Sequence, residues 1–166
     1  MKAAALPPTS AARRLDKQHR AHRRREASDA HQRTAGRKAL ASTIAKRLRK
    51  HQQQRIKRQV TPEGRPFAPR RVQPLRPKKG RIKREMFAKL RTAKYIKAKG
   101  TDKDAVVEFI GQVQRMAKVH QFGLRDRPSV RAKEVQYPAR PLLGLNAEDM
   151  KIVEDELLIL IGSGLT

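Results

Sequence analysis

The sequence contains no cysteine and no tryptophan, and aromatic residues make up only 4% of its 166 residues. The absence of cysteine excludes disulfide bonds, thiolate metal ligands and cysteine nucleophiles. A chain without disulfides suits a reducing compartment, so we expect a cytoplasmic protein. The scarcity of aromatic side chains leaves few platforms on which the bases of single-stranded nucleic acid could stack.

Long apolar runs are also missing. The longest strictly aliphatic run covers residues 157–161, whereas a helix that spans a bilayer needs about 20 apolar residues. Near the start, Pro7 and Pro8 interrupt a short apolar stretch before it reaches the length of a signal peptide. The sequence therefore predicts a protein without a membrane-spanning segment.

Acidic residues are scarce in the first part of the chain. Residues 1–100 hold 32 Lys and Arg against 5 Asp and Glu, whereas residues 101–166 hold 9 against 10, and the whole chain carries +26. Such asymmetry indicates an anionic partner, either nucleic acid or an acidic protein surface. The alternative is a solvated basic tail without a specific partner.

The charge and proline patterns divide the chain. Residues 1–34 are predicted to form a flexible basic arm. Residues 26–33 contain no aliphatic side chain larger than alanine, so burial of apolar surface cannot offset the loss of conformational entropy on ordering the chain. Residues 35–166 are predicted to form one domain. Within it, residues 65–84 contain four prolines, which exclude an inner strand and indicate an extended basic connector.

Hydrophobic periodicity predicts an α+β fold. A long amphipathic helix is expected from Arg37 to about Gln59, ended by a turn at residues 61–64, and a short helical stretch at residues 85–92. A small antiparallel β meander, a short helix and a closing helix follow. The expected segments are strands at 95–98, 105–110 and 134–137, a helix at 111–122 stopped by Gly123, and a polar loop at 125–131.

The closing helix has the clearest start. Asn146 is a good N-cap, and Glu148 and Asp149 place negative charge in the first turn, where the helix dipole favours it. Apolar residues surround its last turns, so this helix needs burial on several sides. We therefore predict that the first and last helices contact other subunits, through Leu40, Ile44, Leu48, Val153, Leu157, Leu160 and Ile161.

Two segments carry a family resemblance. Residues 119–127 read Val-His-Gln-Phe-Gly-Leu-Arg-Asp-Arg, and residues 135–145 read Val-Gln-Tyr-Pro-Ala-Arg-Pro-Leu-Leu-Gly-Leu. Together with residues 61–70, they resemble in order and spacing the tail-completion protein S, or virion morphogenesis, family of Mu-like and P-two-like contractile-tailed phages. The resemblance runs from about residue 35 to the end. Its motif residues are His120, Gln121, Phe122, Gly123, Leu124, Arg140, Pro141, Leu142, Leu143 and Gly144.

The start of the chain departs from the family pattern. Residues 15–18 pass into a His- and Arg-rich run instead of an aliphatic amphipathic helix. Either a genuine arm or a shifted reading frame would account for this difference. Functions that the family places at its start are therefore not carried over.

The resemblance implies a structural morphogenesis protein, needed for tail completion and stable head–tail joining. Its implied partners are phage tail and neck proteins, and copies are expected to form a ring that follows the tail's symmetry, six-fold for example. Its place would be the host cytoplasm during assembly and then the tail top or neck of the virion. In the second motif, Pro141 disfavours the α conformation at Arg140, which favours an architectural role for Arg140; a subunit contact is the alternative.

Enzymatic chemistry is not predicted, and neither is a cofactor or a metal. His120 has no acid, serine or second histidine at a spacing that catalysis would need. His19, His22 and His31 lie among arginines, which repel a cation.

A basic nucleic-acid-binding protein, similar in kind to ribosomal proteins, is the rival hypothesis. It explains the charge but not the motif pair or the apolar last helix, and the salt dependence of binding would separate the two hypotheses. Under either hypothesis, seven connector residues are predicted to contact DNA or an acidic partner, namely Arg70, Arg71, Lys78, Lys79, Arg81, Lys83 and Arg84.

Overall fold

The computed structural model describes residues 10–70 and 85–162, with side chains from residue 17 onward. Its elements are α1 (Ser10–Arg58), β1 (Ile96–Gly100), β2 (Ala105–Phe109), α2 (Val113–Phe122), β3 (Arg125–Asp126), β4 (Val135–Gln136) and α3 (Ala147–Gly162). The predicted α+β class is confirmed. Most of the predicted connector, residues 71–84, lies outside the described residues.

The first helix is longer than predicted. It begins at Ser10 and runs without a break through residue 34, so residues 10–34 are helical, and their flexibility stays a prediction. Alanine, arginine and glutamine are good helix formers, and the packed second half of α1 supplies the nucleus from which the first half extends. The side chains of residues 17–33 are exposed. The division between an arm and a domain at residue 34 stays a prediction.

Gly36 tests how the two halves of α1 are coupled. It lies inside the helix, and a Cβ built there would meet nothing within 4 Å. Because glycine is less favourable than alanine in a helix, Gly36→Ala is expected to raise the free energy of unfolding by about 0.8–1 kcal/mol, measured by urea denaturation. An unchanged value would show that residues before Gly36 unfold separately from the core.

The second half of α1 packs against the rest of the chain. Ile44, Ala45, Leu48 and Ile56 are buried along one stripe. The helix then ends, and the amide N–H of Gly64 donates to the carbonyl of Thr61 at 2.9 Å, closing the predicted turn.

The two predicted central strands are confirmed as an antiparallel pair, β1 with β2, in which Ile96 lies opposite Phe109. The loop between them is closed by the Thr101 amide, which donates to the Asp104 carbonyl at 2.8 Å. β1 lies directly on α1, since a Cβ on Gly100 would come within 2.6 Å of the Ala41 carbonyl carbon.

The sheet content differs from the predicted meander. In the described part of the chain, β3 pairs with β4 separately from the β1–β2 pair. Arg125 and Asp126 were expected to lie in a loop, and their pairing with Gln136 and Val135 was missed because two polar residues carry no strand pattern. The stretch expected to be helical at residues 85–92 forms a series of turns.

The core gathers residues from distant parts of the sequence. Its buried members come from α1, the segment after it, the turns at 85–95, β1, β2, α2 and the second motif; they are Ile56, Phe67, Leu90, Ile96, Phe109, Val113, Ala117 and Leu142. Among the helices described, none combines the length and apolarity that crossing a bilayer requires.

Candidate assembly site

The two motifs lie side by side and form one structural unit. The Gln121 side chain on α2 donates from Nε2 to the Leu143 carbonyl at 2.8 Å. Its Oε1 accepts from the amides of Leu142 at 2.8 Å and Leu143 at 3.0 Å. One glutamine therefore satisfies three backbone groups of the second motif and holds it along α2.

Gly123 ends α2 in a left-handed conformation, with φ at 63°. The amide of Leu124 donates to the Val119 carbonyl at 2.9 Å, which completes the helix end. A Cβ on Gly123 would lie 2.9 Å from the amide nitrogen of Ala139. Both the backbone conformation and the approach of the second motif therefore require glycine here.

Arg140 joins three segments from a buried position. Only 4% of the residue is exposed. Its Nε donates to the Ala68 carbonyl at 2.7 Å and its Nη2 to the Pro69 carbonyl at 2.8 Å. Its backbone amide donates to the His120 carbonyl at 2.6 Å. The side chain thus ties the segment after α1 to α2, as an architectural residue would.

The His120 ring lies in a partly buried position between aromatic rings. Its centroid is 4.9 Å from that of Phe87 and 5.1 Å from that of Tyr137. Its Nδ1 lies 3.2 Å from Nη1 of Arg140. Because a guanidinium can only donate, this contact is a hydrogen bond when Nδ1 carries no proton. Burial, and then the charge of Arg140, lower the pKa of His120.

His120 predicts a pH dependence of stability. Its folded pKa is lowered, so its contribution is complete above the ordinary histidine pKa of about 6.5 and is lost as pH falls through the lowered folded value. Wild type is therefore expected to lose thermal stability between pH 7.5 and 5.5 more steeply than His120→Asn, whose amide oxygen can accept in place of Nδ1. Parallel slopes of melting temperature against pH would contradict this assignment.

The largest feature missed by sequence reasoning is a buried ion pair between α1 and α3. Nη1 of Arg55 donates to Oδ2 of Asp149 at 2.7 Å, and both side chains are almost fully buried. Nη2 of Arg55 donates to the Gly144 carbonyl at 2.6 Å, and Nε2 of Gln52 donates to the same carbonyl at 2.9 Å. His51 reaches the other oxygen of Asp149 at 2.6 Å from Nδ1. Gly144, the last of the motif residues, therefore contacts this ion pair through its carbonyl.

Asp149 also belongs to the helix cap. Its amide donates to Oδ1 of Asn146 at 2.9 Å, and its Oδ2 accepts from the Asn146 amide at 3.1 Å. Burial alone would raise the pKa of Asp149, but the hydrogen bonds from His51, Arg55 and the Asn146 amide outweigh it, so the pKa is lowered. The carboxylate is therefore held ionised where α3 begins.

Gly144 stands where the second motif meets the turn after α1. A Cβ there would lie 2.6 Å from Cγ of Pro62. The motif residues Pro141 and Leu143 are partly buried beside the fully buried Leu142. By contrast, Phe122 is 65% exposed and Leu124 is also exposed.

The closing helix α3 is attached to α1 by polar contacts, and several of its apolar residues are exposed to solvent. Asp149 is its only buried residue among those described, and Arg47 pairs with Glu156 farther along. Leu158 is 66% exposed. The open apolar residues, called here the α3 face, are Met150, Leu157, Leu158, Ile159 and Ile161.

The predicted subunit contacts divide into three groups by burial. Ile44 and Leu48 are buried inside their own chain, so the prediction placed them on the wrong surface, because the stripe is covered by the fold itself. Leu40, Val153 and Leu160 are partly buried, whereas Leu157 and Ile161 are exposed. Of the predicted DNA contacts, Arg70 is exposed; the other six lie outside the described residues.

Comparison with known proteins identifies the family. The profile of the phage virion morphogenesis family matches residues 19–160. The chain belongs to the phage virion morphogenesis family. The match begins inside the His- and Arg-rich run, so it includes part of the helix that departs from the expected pattern. Tail completion protein S of Escherichia phage P2 is 44% identical over 125 residues, which cover 75% of this chain and 83% of that protein. No solved structure matches this virion morphogenesis protein significantly.

Proposed function

We propose that this virion morphogenesis protein is a structural subunit that completes the phage tail and stabilises its joining to the head. Its partners are phage tail and neck proteins, met in the host cytoplasm during assembly and retained in the virion. The observation that carries the proposal is the α3 face, an open apolar surface in a chain 44% identical to a protein named for tail completion.

The α3 face has the character of a protein contact surface. Contiguous apolar patches on a soluble chain mark sites of association. The helix that carries it is fixed at its start by the buried pair of Arg55 with Asp149 and by the cap at Asn146. A helix fixed at its base presents its side chains in one orientation, which lowers the entropic cost of binding.

We further propose that copies assemble in a ring. A ring needs two different surfaces on each copy, and the α3 face supplies one of them. Since each chain carries +26, neighbouring copies repel one another. Ring assembly therefore requires an anionic partner, either an acidic protein of the neck or tail or DNA.

The site residues support a binding role and not catalysis. His120 is surrounded by Phe87, Tyr137 and Arg140, and none of these supplies the carboxylate that commonly supports a catalytic histidine base. The ribosomal-like alternative remains supported by charge alone, whereas family membership favours a role in the virion.

Complementation of a phage that lacks this protein tests the proposal. Leu158→Glu with Ile161→Glu places two charges on the α3 face without touching the core. Losing two well-packed contacts of about 2 kcal/mol each should lower the infectious titre by two orders of magnitude or more, and heads and unjoined tails should accumulate.

Val130→Glu is the matched control, because Val130 is 94% exposed and far from α3 in sequence. It should complement normally, and circular dichroism should show all variants folded. A normal titre with the double variant would contradict the role of the α3 face.

A further inference from the structure

The outer face of α1 carries an unbroken series of positive charges. From residue 30 to residue 58 the helix holds ten Lys and Arg and no acidic residue. Lys46, Lys50 and Lys57 are exposed, on the side of the helix away from the buried Ile44 and Leu48. Two cations of this stretch, Arg47 and Arg55, pair with carboxylates of α3.

A shallow open hollow lies on this face, where α1 meets the turns before β1. It is lined by Lys50, Gln53, Gln54, Lys57, Arg91 and Thr92. Nε2 of Gln53 donates to the Arg91 carbonyl at 2.6 Å, which fixes the two walls against each other. Lys50 and Lys57, with the Gln54 side-chain amide beside them, supply donors that phosphate oxygens accept. Arg91 adds a third positive charge, which Glu85 partly offsets at 3.6 Å from its Nη2.

The chemistry of the face favours a polyphosphate over a protein. Among the described side chains of α1 there is no exposed large hydrophobic residue, whereas protein interfaces have apolar, aromatic-rich centres and are poor in lysine. The described side chains of α1 extend over about 60 Å at 1.5 Å per residue. Duplex DNA offers one charge per about 1.7 Å along its axis, so a straight basic rod can meet many phosphates. Single strands would need aromatic stacking.

We propose that the outer face of α1, centred on the hollow of Lys50, Lys57 and Arg91, binds the phosphate backbone of duplex DNA without sequence preference. This site adds to the proposed function and does not depend on it. A subunit of the neck would meet DNA where it passes from the head, and the binding would also reduce repulsion between copies.

Binding of the full-length protein to a fluorescent duplex, followed by anisotropy at several salt concentrations, tests the site. Lys46→Gln, Lys50→Gln and Lys57→Gln are combined in one variant. Each lost phosphate contact should reduce the slope of log affinity against log salt by about 0.9, so the triple variant should lose about 2 to 3 from the slope. Its affinity at 0.15 M salt should fall on the order of tenfold or more.

The matched control changes three exposed lysines elsewhere, Lys118→Gln, Lys133→Gln and Lys151→Gln, and removes the same total charge. It should keep the wild-type slope. Equal weakening by both triple variants would overturn the site, because binding would then follow net charge alone. Competition by polyglutamate as strong as by unlabelled duplex, at equal charge, would assign the face to an acidic protein instead.

Discussion

Replacing Arg55 with methionine is expected to lower the free energy of unfolding by about 3–5 kcal/mol. The substitution leaves Asp149 buried and charged without the Arg55 guanidinium, and it also removes a donor from the Gly144 carbonyl. Burial would then raise the pKa of Asp149 with less to oppose it. Urea denaturation of the variant and of wild type measures the difference.

Two further variants separate the ion pair from general effects of removing arginine. Arg47→Met breaks the pair with Glu156, in which Arg47 is 43% exposed, and should cost less than about 1 kcal/mol. Combining Arg55→Met with Asp149→Leu should recover part of the loss, because the buried carboxylate is no longer left without its guanidinium, while the Asn146 amide and His51 lose their acceptor. A cost for Arg55→Met no larger than that for Arg47→Met would contradict the burial of the pair.

The pair of Arg55 with Asp149 also determines how the free energy of unfolding changes in acid. The lowered pKa of Asp149 contributes stability that is complete above the ordinary aspartate pKa of about 3.9 and is lost as pH falls through the lower folded value. The difference between wild type and Arg55→Met should therefore begin to shrink as pH falls through the higher pKa that Asp149 has in the variant, and it should stop shrinking below the lowered pKa of wild type.

Gly100→Ala is expected to cost about 3 kcal/mol or more, through close approach and not through backbone strain. Its Cβ would lie 2.5 Å from the Ser42 Cα and 2.6 Å from the Ala41 carbonyl carbon. Both atoms belong to the backbone of α1, which cannot give way as a flexible side chain could. The β1–β2 pair would have to move off the helix, and thermal unfolding should show the loss.

Gly111→Ala is the control for backbone strain alone. Gly111 has φ at 67°, and nothing lies within 4 Å of the added Cβ, so its cost should be about 1–2 kcal/mol. If Gly100→Ala destabilised no more than Gly111→Ala, β1 would not lie against α1 as the structure has it.

The sequence predicted those elements that form because of residue spacing or residue type within one short segment. The stripe through Ile44 and Leu48 predicted the packed half of α1, the β-branched runs predicted β1 and β2, and Gly123 predicted the end of α2. The cap at Asn146 was also predicted from residue type alone. Each of these depends on spacing or steric preference within one segment, which the sequence displays directly.

The features that were missed depend on contacts between distant segments. Arg55 and Asp149 are 94 residues apart, and no periodicity links them. The one available signal was Gln52 and Arg55 on the apolar stripe of α1, where polar residues need buried partners. An apolar stripe on a helix can pack against its own chain or against another subunit, so the sequence did not reveal that Ile44 and Leu48 face their own chain. The strand β3 forms only because the fold brings β4 beside it.

Because the sequence contains no cysteine, single introduced thiols can test directly whether a partner covers the α3 face in the assembled virion. Leu158→Cys and Val130→Cys each introduce a single thiol, whose labelling by maleimide can be compared in the purified protein and in intact phage. We expect both thiols to react in the free protein and only the thiol at position 158 to be protected in the virion. Equal reactivity of that thiol in both states would contradict the covering of the α3 face by a partner.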